Sequence, residues 1–420
     1  MRGSVQSYLE LAVDYANCGL WDDAIGSLTL LTDAGKKKSP TNPMVYYYLG
    51  YFWQKSGNTD KASACYRLAA KMSPDYCFPF RLESIDVLNS AAKANPSDPR
   101  APYYLGNLLY DNQPSKAIEQ WEKSRDLDDS FATVHRNLAF AYSQVNNDVP
   151  KAIASLEKAV ACDKNDPRLY YELDLLYEAG GVSPQKRLAL LEENHKTVAQ
   201  RDDALSRQIA LCVQAAQYDR AIELLTNRHF HTWEGGGQIH DVYVDAHLLR
   251  GREKSNKGQH AEAIKDYQAA LEYPENLEVG RPAQDREFCR TYFLMGASYE
   301  ALSQTEKARE CFEKAALMDV GQSQFGYYKG LALKKLGREN DADKVFDDLI
   351  ESAKPGPAVE FFAKFGEKQT HNSKLAQTHY LLGLAHLGKG DHAKARAELE
   401  NALELNPNHL WAAVCLSDLN

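Results

Sequence analysis

The sequence repeats one pattern of small and large residues, with several intervals of 34 or 35 positions. Segments 46–74 (YYYLGYFWQKSGNTDKASACYRLAAKMSP) and 379–407 (HYLLGLAHLGKGDHAKARAELENALELNP) share Leu-Gly, a later Gly, an Ala, a large apolar residue, a second Ala and a Pro. Alignment on the first of these alanines gives ten anchor positions: Ala24, Ala62, Ala117, Ala152, Arg187, Ala221, Ala263, Ala308, Ala342 and Ala395. A unit of this length cannot bury its apolar side chains alone, so neighbouring units must stack. The pattern predicts an all-α fold of about ten stacked helix–turn–helix units.

Two further slots of the repeat predict how each helix pair packs. The first helix carries a small residue, which lets its partner helix approach closely: Ala12, Gly50, Gly106, Ala139, Gly251, Gly296, Gly330 and Gly383. The second helix carries a large residue that fills the remaining space: Leu28, Tyr66, Trp121, Leu156, Leu191, Leu225, Tyr267, Phe312, Phe346 and Leu399. The fifth and sixth repeats depart from the pattern, because Asp174 and Ile209 stand where a small residue is expected.

These slots, at these spacings, resemble the tetratricopeptide (TPR) repeat. The resemblance implies a right-handed α-superhelix, or α-solenoid, with a concave and a convex face. Departures from the repeat length suggest three parts: an N-terminal sub-array (1–226), an inter-repeat loop (227–241) and a C-terminal sub-array (242–420). The first sub-array contains an inserted helix near 80–96, and the second ends in a capping helix at 409–420. Two further insertions lie at 274–285 and 354–368.

Composition narrows the classes of function. The net charge of −9 argues against a general nucleic-acid binder, which needs a basic face to neutralise phosphates. No run of about 18 apolar residues predicts a membrane span. The eight cysteines are dispersed and form no C-x-x-C pair, which favours a reducing compartment and therefore a cytoplasmic location. The opening MRGS resembles an expression leader, so we expect the natural protein to begin earlier.

In a TPR array, the residue three positions before the small slot faces the concave groove. Here that residue is aromatic in six repeats and Arg136 in the fourth; the six aromatic residues are Tyr47, Tyr103, Tyr171, Phe293, Tyr327 and Tyr380. One interpretation is an aromatic groove that stacks on a peptide or a sugar. The other is that these rings pack against each other inside the superhelix. A clamp for C-terminal carboxylates is not expected, since only Asn107 fills the asparagine slot that such clamps repeat.

The loop sequence RHFHTWEGGGQIHDVY (228–243) is the least repeat-like part of the chain. Its candidate ligand-binding residues are His229, His231, Trp233, Glu234, His240 and Asp241. Four interpretations stay open: a structural plug, a small-ligand site such as one for carbohydrate, a metal site made by the histidines with Glu234, and a catalytic site. No nucleophile elbow, P-loop, dinucleotide fingerprint or H-E-x-x-H is present, so we expect no enzyme activity and no cofactor.

A second, narrower resemblance concerns the stretches HFHTWEGGGQIHDVYVDAHLLRG, DYCFPFRLES, YYLGNLLYD and YPENLEVGRP. Together they resemble the C-terminal half of a family of large bacterial two-part proteins, from about Ser7 onward. In that family a β-sandwich domain of unknown function, similar to sugar mutarotases, precedes the TPR array. The resemblance implies a carbohydrate context, and it implies that His229 to Asp241 face this domain of the same parent chain.

The sequence therefore predicts a non-catalytic TPR scaffold that binds a protein domain, peptide or glycan in an aromatic-lined concave groove. The alternative is the accessory half of a bacterial carbohydrate-active enzyme, whose loop at 228–243 completes a sugar-binding site. In both cases the expected partners are proteins, peptides or carbohydrate, and neither nucleic acid nor a membrane.

Overall fold

The computed structural model describes residues 4–33, 42–231, 238–353 and 371–419. Over these residues the chain forms 23 α-helices and one short 3₁₀ turn, with no β-strand. The chain divides into two compact units, Met1–Gly180 (unit 1) and Gly181–Asn420 (unit 2). The predicted all-α fold of stacked helix hairpins is confirmed. The predicted three-part division, with its loop at 227–241, concerns the repeat pattern and stays a prediction.

Unit 1 is built from four helix hairpins, one inserted helix and a final helix. The helices are α1 (Val5–Asn17), α2 (Trp21–Asp33), α3 (Pro43–Lys55), α4 (Thr59–Ala70), α5 (Glu83–Ala94), α6 (Arg100–Leu109), α7 (Pro114–Leu127), α8 (Ala132–Gln144), α9 (Val149–Cys162) and α10 (Pro167–Ala179). Helix α5 lies within the insertion at 80–96 and packs on α3 and α6. The hairpins α1–α2, α3–α4, α6–α7 and α8–α9 supply the repeating core.

Unit 2 continues with hairpins and ends in a single short helix. The helices are α11 (Pro184–Glu193), α12 (His195–Val198), α13 (Asp202–Gln214), α14 (Tyr218–Thr226), α15 (Gln238–Asn256), α16 (His260–Ala269), α17 (Phe288–Ala301), α18 (Thr305–Leu317), α19 (Phe325–Lys335), α20 (Glu339–Ser352), α21 (His371–Gly388), α22 (His392–Leu405) and α23 (Leu410–Ser417). The 3₁₀ turn Glu275–Leu277 lies between α16 and α17. First helices contact first helices along the array, since α15 packs on α17, α17 on α19 and α19 on α21.

Local sequence signals explain where many helices begin. Asn42 accepts a hydrogen bond from the backbone N–H of Met44, and Pro43 stands at the first helical position of α3. Asp166 caps α10 in the same way, ahead of Pro167. A side-chain oxygen satisfies one of the free N–H groups at a helix start, and proline costs nothing there because its missing N–H has no helical partner.

The predicted pairing of small and large slots is confirmed by geometry. A Cβ atom added at the small-slot glycine of a hairpin would lie under 3.0 Å from the large side chain of the second helix. The added atom would be 2.6 Å from Tyr66 at Gly50, 2.4 Å from Trp121 at Gly106, 2.5 Å from Tyr267 at Gly251, 2.7 Å from Phe312 at Gly296, 2.3 Å from Phe346 at Gly330 and 2.9 Å from Leu399 at Gly383. The helices are therefore as close as these glycines allow.

Candidate functional site

We call the side of each unit that is lined by the first helices of its hairpins the inner face. In unit 1 this face carries a pair of half-buried asparagines on neighbouring helices. The Asn137 amide on α8 donates to Asn107 Oδ1 on α6 over 3.1 Å, and the Trp121 indole N–H donates to the same oxygen over 3.0 Å. Two donors on one oxygen fix the orientation of the Asn107 amide.

Beside this pair, two arginines share one glutamate. Arg136 on α8 makes a two-point contact with Glu172 on α10, with N–O distances of 2.7 and 2.5 Å. Arg168, one turn before Glu172, contacts the same carboxylate over 2.9 Å. All three side chains keep part of their surface in solvent. This cluster carries one more positive than negative charge.

The aromatic residues predicted for the unit 1 groove differ in depth. Tyr47 is fully buried, and its hydroxyl donates to Asp98 Oδ2 over 2.8 Å. Burial, and then the Asp98 charge, hold the pKa of Tyr47 well above its usual range. Tyr103 is 6% exposed, with its ring 4.8 Å from that of Phe131. Tyr171, by contrast, is half-buried.

This face also carries an exposed aromatic residue that the repeat pattern did not predict. Phe140 on α8 is 54% exposed, and its ring centroid lies 6.3 Å from that of Tyr110, the residue directly after α6. Phe140 directly follows Ala139, which fills the small slot of the fourth repeat. The position after the small slot was considered only for asparagine, so an aromatic residue there was not selected.

In unit 2 the inner face holds helix α23 of the same chain. The Trp411 indole N–H donates to Asp245 Oδ1 on α15 over 2.8 Å. The Arg290 guanidinium on α17 lies 3.6 Å from the centre of the Trp411 ring, and its Nη2 contacts Asp245 Oδ1 over 3.2 Å. Arg290 is 2% exposed. Trp411 is therefore held by a cation on its face and a carboxylate at its N–H edge.

Both ends of α23 are fixed as well. At its start, His409 Nδ1 accepts from the Ala412 N–H over 3.2 Å, so Nε2 carries the proton and donates to Gln377 Oε1 over 3.2 Å. Burial lowers the pKa of His409, which agrees with a neutral ring. At its end, Asp418 pairs with Arg252 on α15. The sequence predicted only a cap here, because these partners lie up to 166 residues away.

The aromatic residues predicted for the unit 2 groove lie around α23 and in the core beneath it. Tyr380 is 2% exposed, and its ring centroid is 4.5 Å from that of His409. Burial raises the pKa values of Tyr327 and Tyr380. Phe293 is half-buried, with its ring 5.8 Å from Phe312. These positions show where the rings lie, and their role in binding a ligand stays a prediction.

Two acidic residues on α15 have raised pKa values. Burial disfavours the Asp245 carboxylate, although Arg290 and the Trp411 N–H favour it. Asp241, four residues earlier, keeps an exposed edge, but surrounding protein displaces much of its water. This loss of hydration and the charge of Asp245 raise the pKa of Asp241 to about 6. The start of α15 therefore carries a carboxyl group whose charge changes near pH 6.

The described part of the histidine-rich loop is fastened to the 3₁₀ turn. Phe230 is 2% exposed, and its N–H donates to the Asn276 carbonyl over 2.7 Å. The Asn276 side chain donates to the carbonyls of Leu225 and Arg228 over 2.8 and 2.7 Å. This segment therefore has a structural role at least as far as Phe230.

The three histidines of the loop have separate partners. His229 lies 2.6 Å from Glu278, while His231 lies 3.5 Å from Asp202. His240 is buried, stacks on Tyr273 at 3.8 Å, and donates to the Glu272 carbonyl. Within the described ranges no group of three His, Cys, Asp or Glu residues could hold a metal ion.

The remaining part of the loop, with the candidate residues Trp233 and Glu234, lies outside the described residues. The choice among a plug, a sugar site, a metal site and a catalytic site at 228–243 therefore stays a prediction.

Comparison with known sequences identifies TPR repeats in this chain. Four segments match family models described as "Tetratricopeptide repeat": 376–409 matches one model, and 45–76, 244–277 and 290–319 match another. Each segment contains one of the anchor alanines. TPR repeats indicate a protein-interaction scaffold. The two-part bacterial parent with a mutarotase-like domain stays a prediction.

Comparison with solved structures finds matches of low similarity, one of which is described as a TPR protein. MamA from Desulfovibrio magneticus RS-1 is 16% identical, covering 48% of this chain and 99% of its own, with a TM-score of 0.27. YrrB, described as a TPR protein with an unusual peptide-binding site, is 19% identical over 60% of this chain and 99% of its own, at 0.26. The human IFIT1 dimer with m7Gppp-AAAA is 15% identical over 96% and 91%, at 0.30. TM-scores this low carry no argument about a ligand.

A membrane span requires helices that are both long enough to cross the bilayer and apolar along their length. In the part of the chain that the structure describes, none combines the two properties to the extent needed for a membrane span.

Proposed function

We propose that this chain is a protein-interaction scaffold whose inner face in unit 1 binds a peptide segment of a partner protein, and that this segment carries acidic side chains. The observation that supports the proposal most directly is the group formed by Asn107, Asn137, Arg136 and Glu172. It joins three consecutive first helices, and its members are only partly buried.

The amide pair suits the backbone of a bound segment. An asparagine side chain offers both an N–H donor and a carbonyl acceptor, as a peptide backbone does. The fixed orientation of Asn107 reduces the conformational entropy that binding would otherwise cost. Phe140 adds an exposed apolar surface next to the amides, where a side chain of the segment can be buried.

The charges favour an acidic segment. Within the described ranges, the carboxylate that both Arg136 and Arg168 contact is Glu172, so a carboxylate from the partner would balance the second cation. Arg100, at the start of α6, already pairs with Asp128 over 3.6 Å, and its guanidinium lies 3.7 Å from the Phe131 ring. It therefore adds positive charge near the face but not an unbalanced cation, and its buried Nη1 has no hydrogen-bond partner among the described residues. Because these groups are partly exposed, binding is expected to weaken as salt rises.

The test is selection of short random peptides on the full chain, followed by fluorescence anisotropy of the enriched sequences. We expect acidic peptides to be enriched and Arg136→Ala to weaken their binding about 10-fold, equivalent to about 1.4 kcal/mol. Asn137→Ala should weaken it as well. Lys116→Ala removes an exposed cation from the second helix α7 and should leave affinity unchanged. Enriched peptides that bind both inner-face variants as tightly as the wild type would contradict the proposal.

The alternative function, a sugar site completed by the loop at 228–243, depends on Trp233 and Glu234. A thermal-shift screen with simple sugars and oligosaccharides tests it on the wild type and on Trp233→Ala. A ligand at about 100 times its Kd stabilises the folded state by about 2.7 kcal/mol, which such a screen detects. A shift that disappears in the variant would favour the alternative, and flat responses in both would remove it.

A further inference from the structure

We propose that the inner face of unit 2 is a second binding site, specific for a short apolar helix with a tryptophan and, seven residues later, an aspartate. Helix α23 is its built-in occupant, and a helix of this kind in a partner protein competes with it. The site involves other residues and another ligand than the inner face of unit 1, and it does not depend on that proposal.

The tryptophan pocket is built for recognition. A helix that only covered the end of an array would need an apolar contact surface, yet Trp411 meets a buried arginine and a carboxylate. Withdrawing such a pair from water is costly, and apolar residues of similar volume are often as stabilising. Arg290 also pairs with Glu287 at the start of its own helix, so its charge is balanced without Asp245. The added Arg290–Asp245 contact gains its value by selecting one side chain, since an indole offers both a ring face for the cation and an N–H for the acid.

The second contact lies two helical turns away on the same side. Asp418 follows Trp411 by seven residues and pairs with Arg252, which lies about two turns beyond Asp245 on α15. Between the two contacts, Ala412 and Cys415 are buried, and their small size lets the helix approach closely. Ala413 and Ser417 point to solvent. The pattern that the site reads is therefore Trp-small-x-x-small-x-x-Asp.

Helix α23 is also a replaceable occupant. It has eight residues, too few for an isolated helix to persist in water, so its order depends on the face that it contacts. Beneath it, Arg290 Nε and the Tyr380 hydroxyl are buried without a nitrogen or oxygen partner among the described residues. The Tyr380 hydroxyl does contact the Cys415 thiol of α23, so Arg290 Nε is the point at which a competing helix that supplied an acceptor would gain a hydrogen bond that α23 lacks.

The tether explains why α23 nevertheless holds the site at rest. Only residues 406–409 separate it from α22, and a short linker keeps a tethered ligand at an effective concentration on the order of mM. A free helix of equal intrinsic affinity therefore does not displace α23 from the site when its concentration is well below this value. A substitution that weakens the contacts of α23 makes this tethered helix easier to displace. It leaves the residues of the site on α15 and α17 unchanged.

The experiment measures binding of a fluorescent synthetic peptide with the sequence of residues 406–419 to the full chain. We expect weak binding to the wild type and at least about 10-fold tighter binding to Trp411→Ala, in which the tethered helix has lost its main contact. The same peptide with alanine in place of tryptophan should not bind that variant. Ala413→Ser, on the solvent side of α23, is the matched control and should behave as the wild type.

Circular dichroism and a thermal melt establish that each variant is folded. A folded Trp411→Ala chain that binds the peptide no better than the wild type overturns the proposal. If that variant fails to fold, Asp418→Ala decides, because Asp418 is 51% exposed and its loss leaves the core unchanged. Tighter peptide binding by Asp418→Ala than by the wild type supports the proposal, and unchanged binding overturns it.

Discussion

At the residue scale, the small and large slots were predictable and the polar exceptions were not. Gly106 faces Trp121 because both slots lie within one hairpin, so their spacing is visible in the sequence. Arg187 stands in an alanine slot, is 1% exposed, and donates to Asn408, which is 221 residues away. No local pattern could indicate that partner. Long-range polar contacts therefore had to come from the structure.

Gly106→Ala tests the close approach of the hairpin helices. Its new Cβ would lie 2.4 Å from the Trp121 side chain, so the helices must separate or the indole must move. We expect a loss of about 1–3 kcal/mol in the free energy of unfolding. The matched control is Gly26→Ala on α2, where the added atom meets nothing within 4 Å, and a gain of roughly 0.5–1 kcal/mol is expected. Denaturant titration measures both, and equal effects would refute the packing argument.

The carboxyl group of Asp241 gives a pH-dependent prediction. Its pKa is about 6 in the folded chain and ~3.9 when unfolded, so the folded state binds the proton more tightly. Folded-state stability should therefore rise as pH falls from about 6 towards 4. Asp241→Asn removes the disfavoured charge, so its Tm should exceed that of the wild type at pH 7, with the difference shrinking by pH 4. A Tm difference between the variant and the wild type that stays the same from pH 7 to pH 4 would show that the charge of Asp241 does not cause it.

At the element scale, the sequence indicated which segments form helices but not what each contacts. Helix α23 was expected from its composition as a cap, whereas its position against α15 and α17 depends on pairs such as Trp411 with Asp245. The histidine-rich loop shows the same limit. Its aromatic residues marked it as unusual, yet the contact that fastens Phe230 comes from Asn276, in a separate insertion.

Asn276→Ala should release the segment from Arg228 to His231. The change removes two side-chain hydrogen bonds to backbone carbonyls, at about 1 kcal/mol each. Hydrogen exchange measured by mass spectrometry should accelerate in peptides that contain Arg228 to His231. Exchange in α3 and α4 is the internal control and should not change. Unaltered exchange at the loop would show that the Phe230 backbone bond, its buried ring and the Asp202 contacts hold the segment without the Asn276 side chain.

At the scale of the whole molecule, each unit has its own long-range contacts. In unit 2 these contacts join distant parts of the chain: Arg187 meets Asn408, and Arg252 meets Asp418. The predicted division at 227–241 was placed where the repeat pattern is interrupted. The boundary between the two compact units falls elsewhere along the chain, after Gly180. An interruption of the repeat marks a change in the sequence pattern. The boundary of a compact unit depends instead on tertiary contacts between distant residues, which the repeat pattern does not specify.

Trp411→Ala should accordingly affect unit 2 and leave unit 1 unchanged. We expect faster hydrogen exchange in α11, α15 and α17, because α23 and the segment before it contact all three. Helices α3 and α6 of unit 1 should retain their protection. Loss of protection spread evenly over both units would mean that they unfold as one.

The position of α23 along the chain also sets the order of events during translation. Every helix that it contacts is made earlier, and Trp411 follows Arg290 by 121 residues. At ribosomal speeds of ~5–20 residues per second, roughly 6 to 24 seconds pass between the two. Throughout that interval the nascent chain exposes a tryptophan pocket with no tryptophan of its own to fill it. A helix bound during synthesis would meet no competitor, so a partner made nearby at the same time has an advantage over one that arrives later.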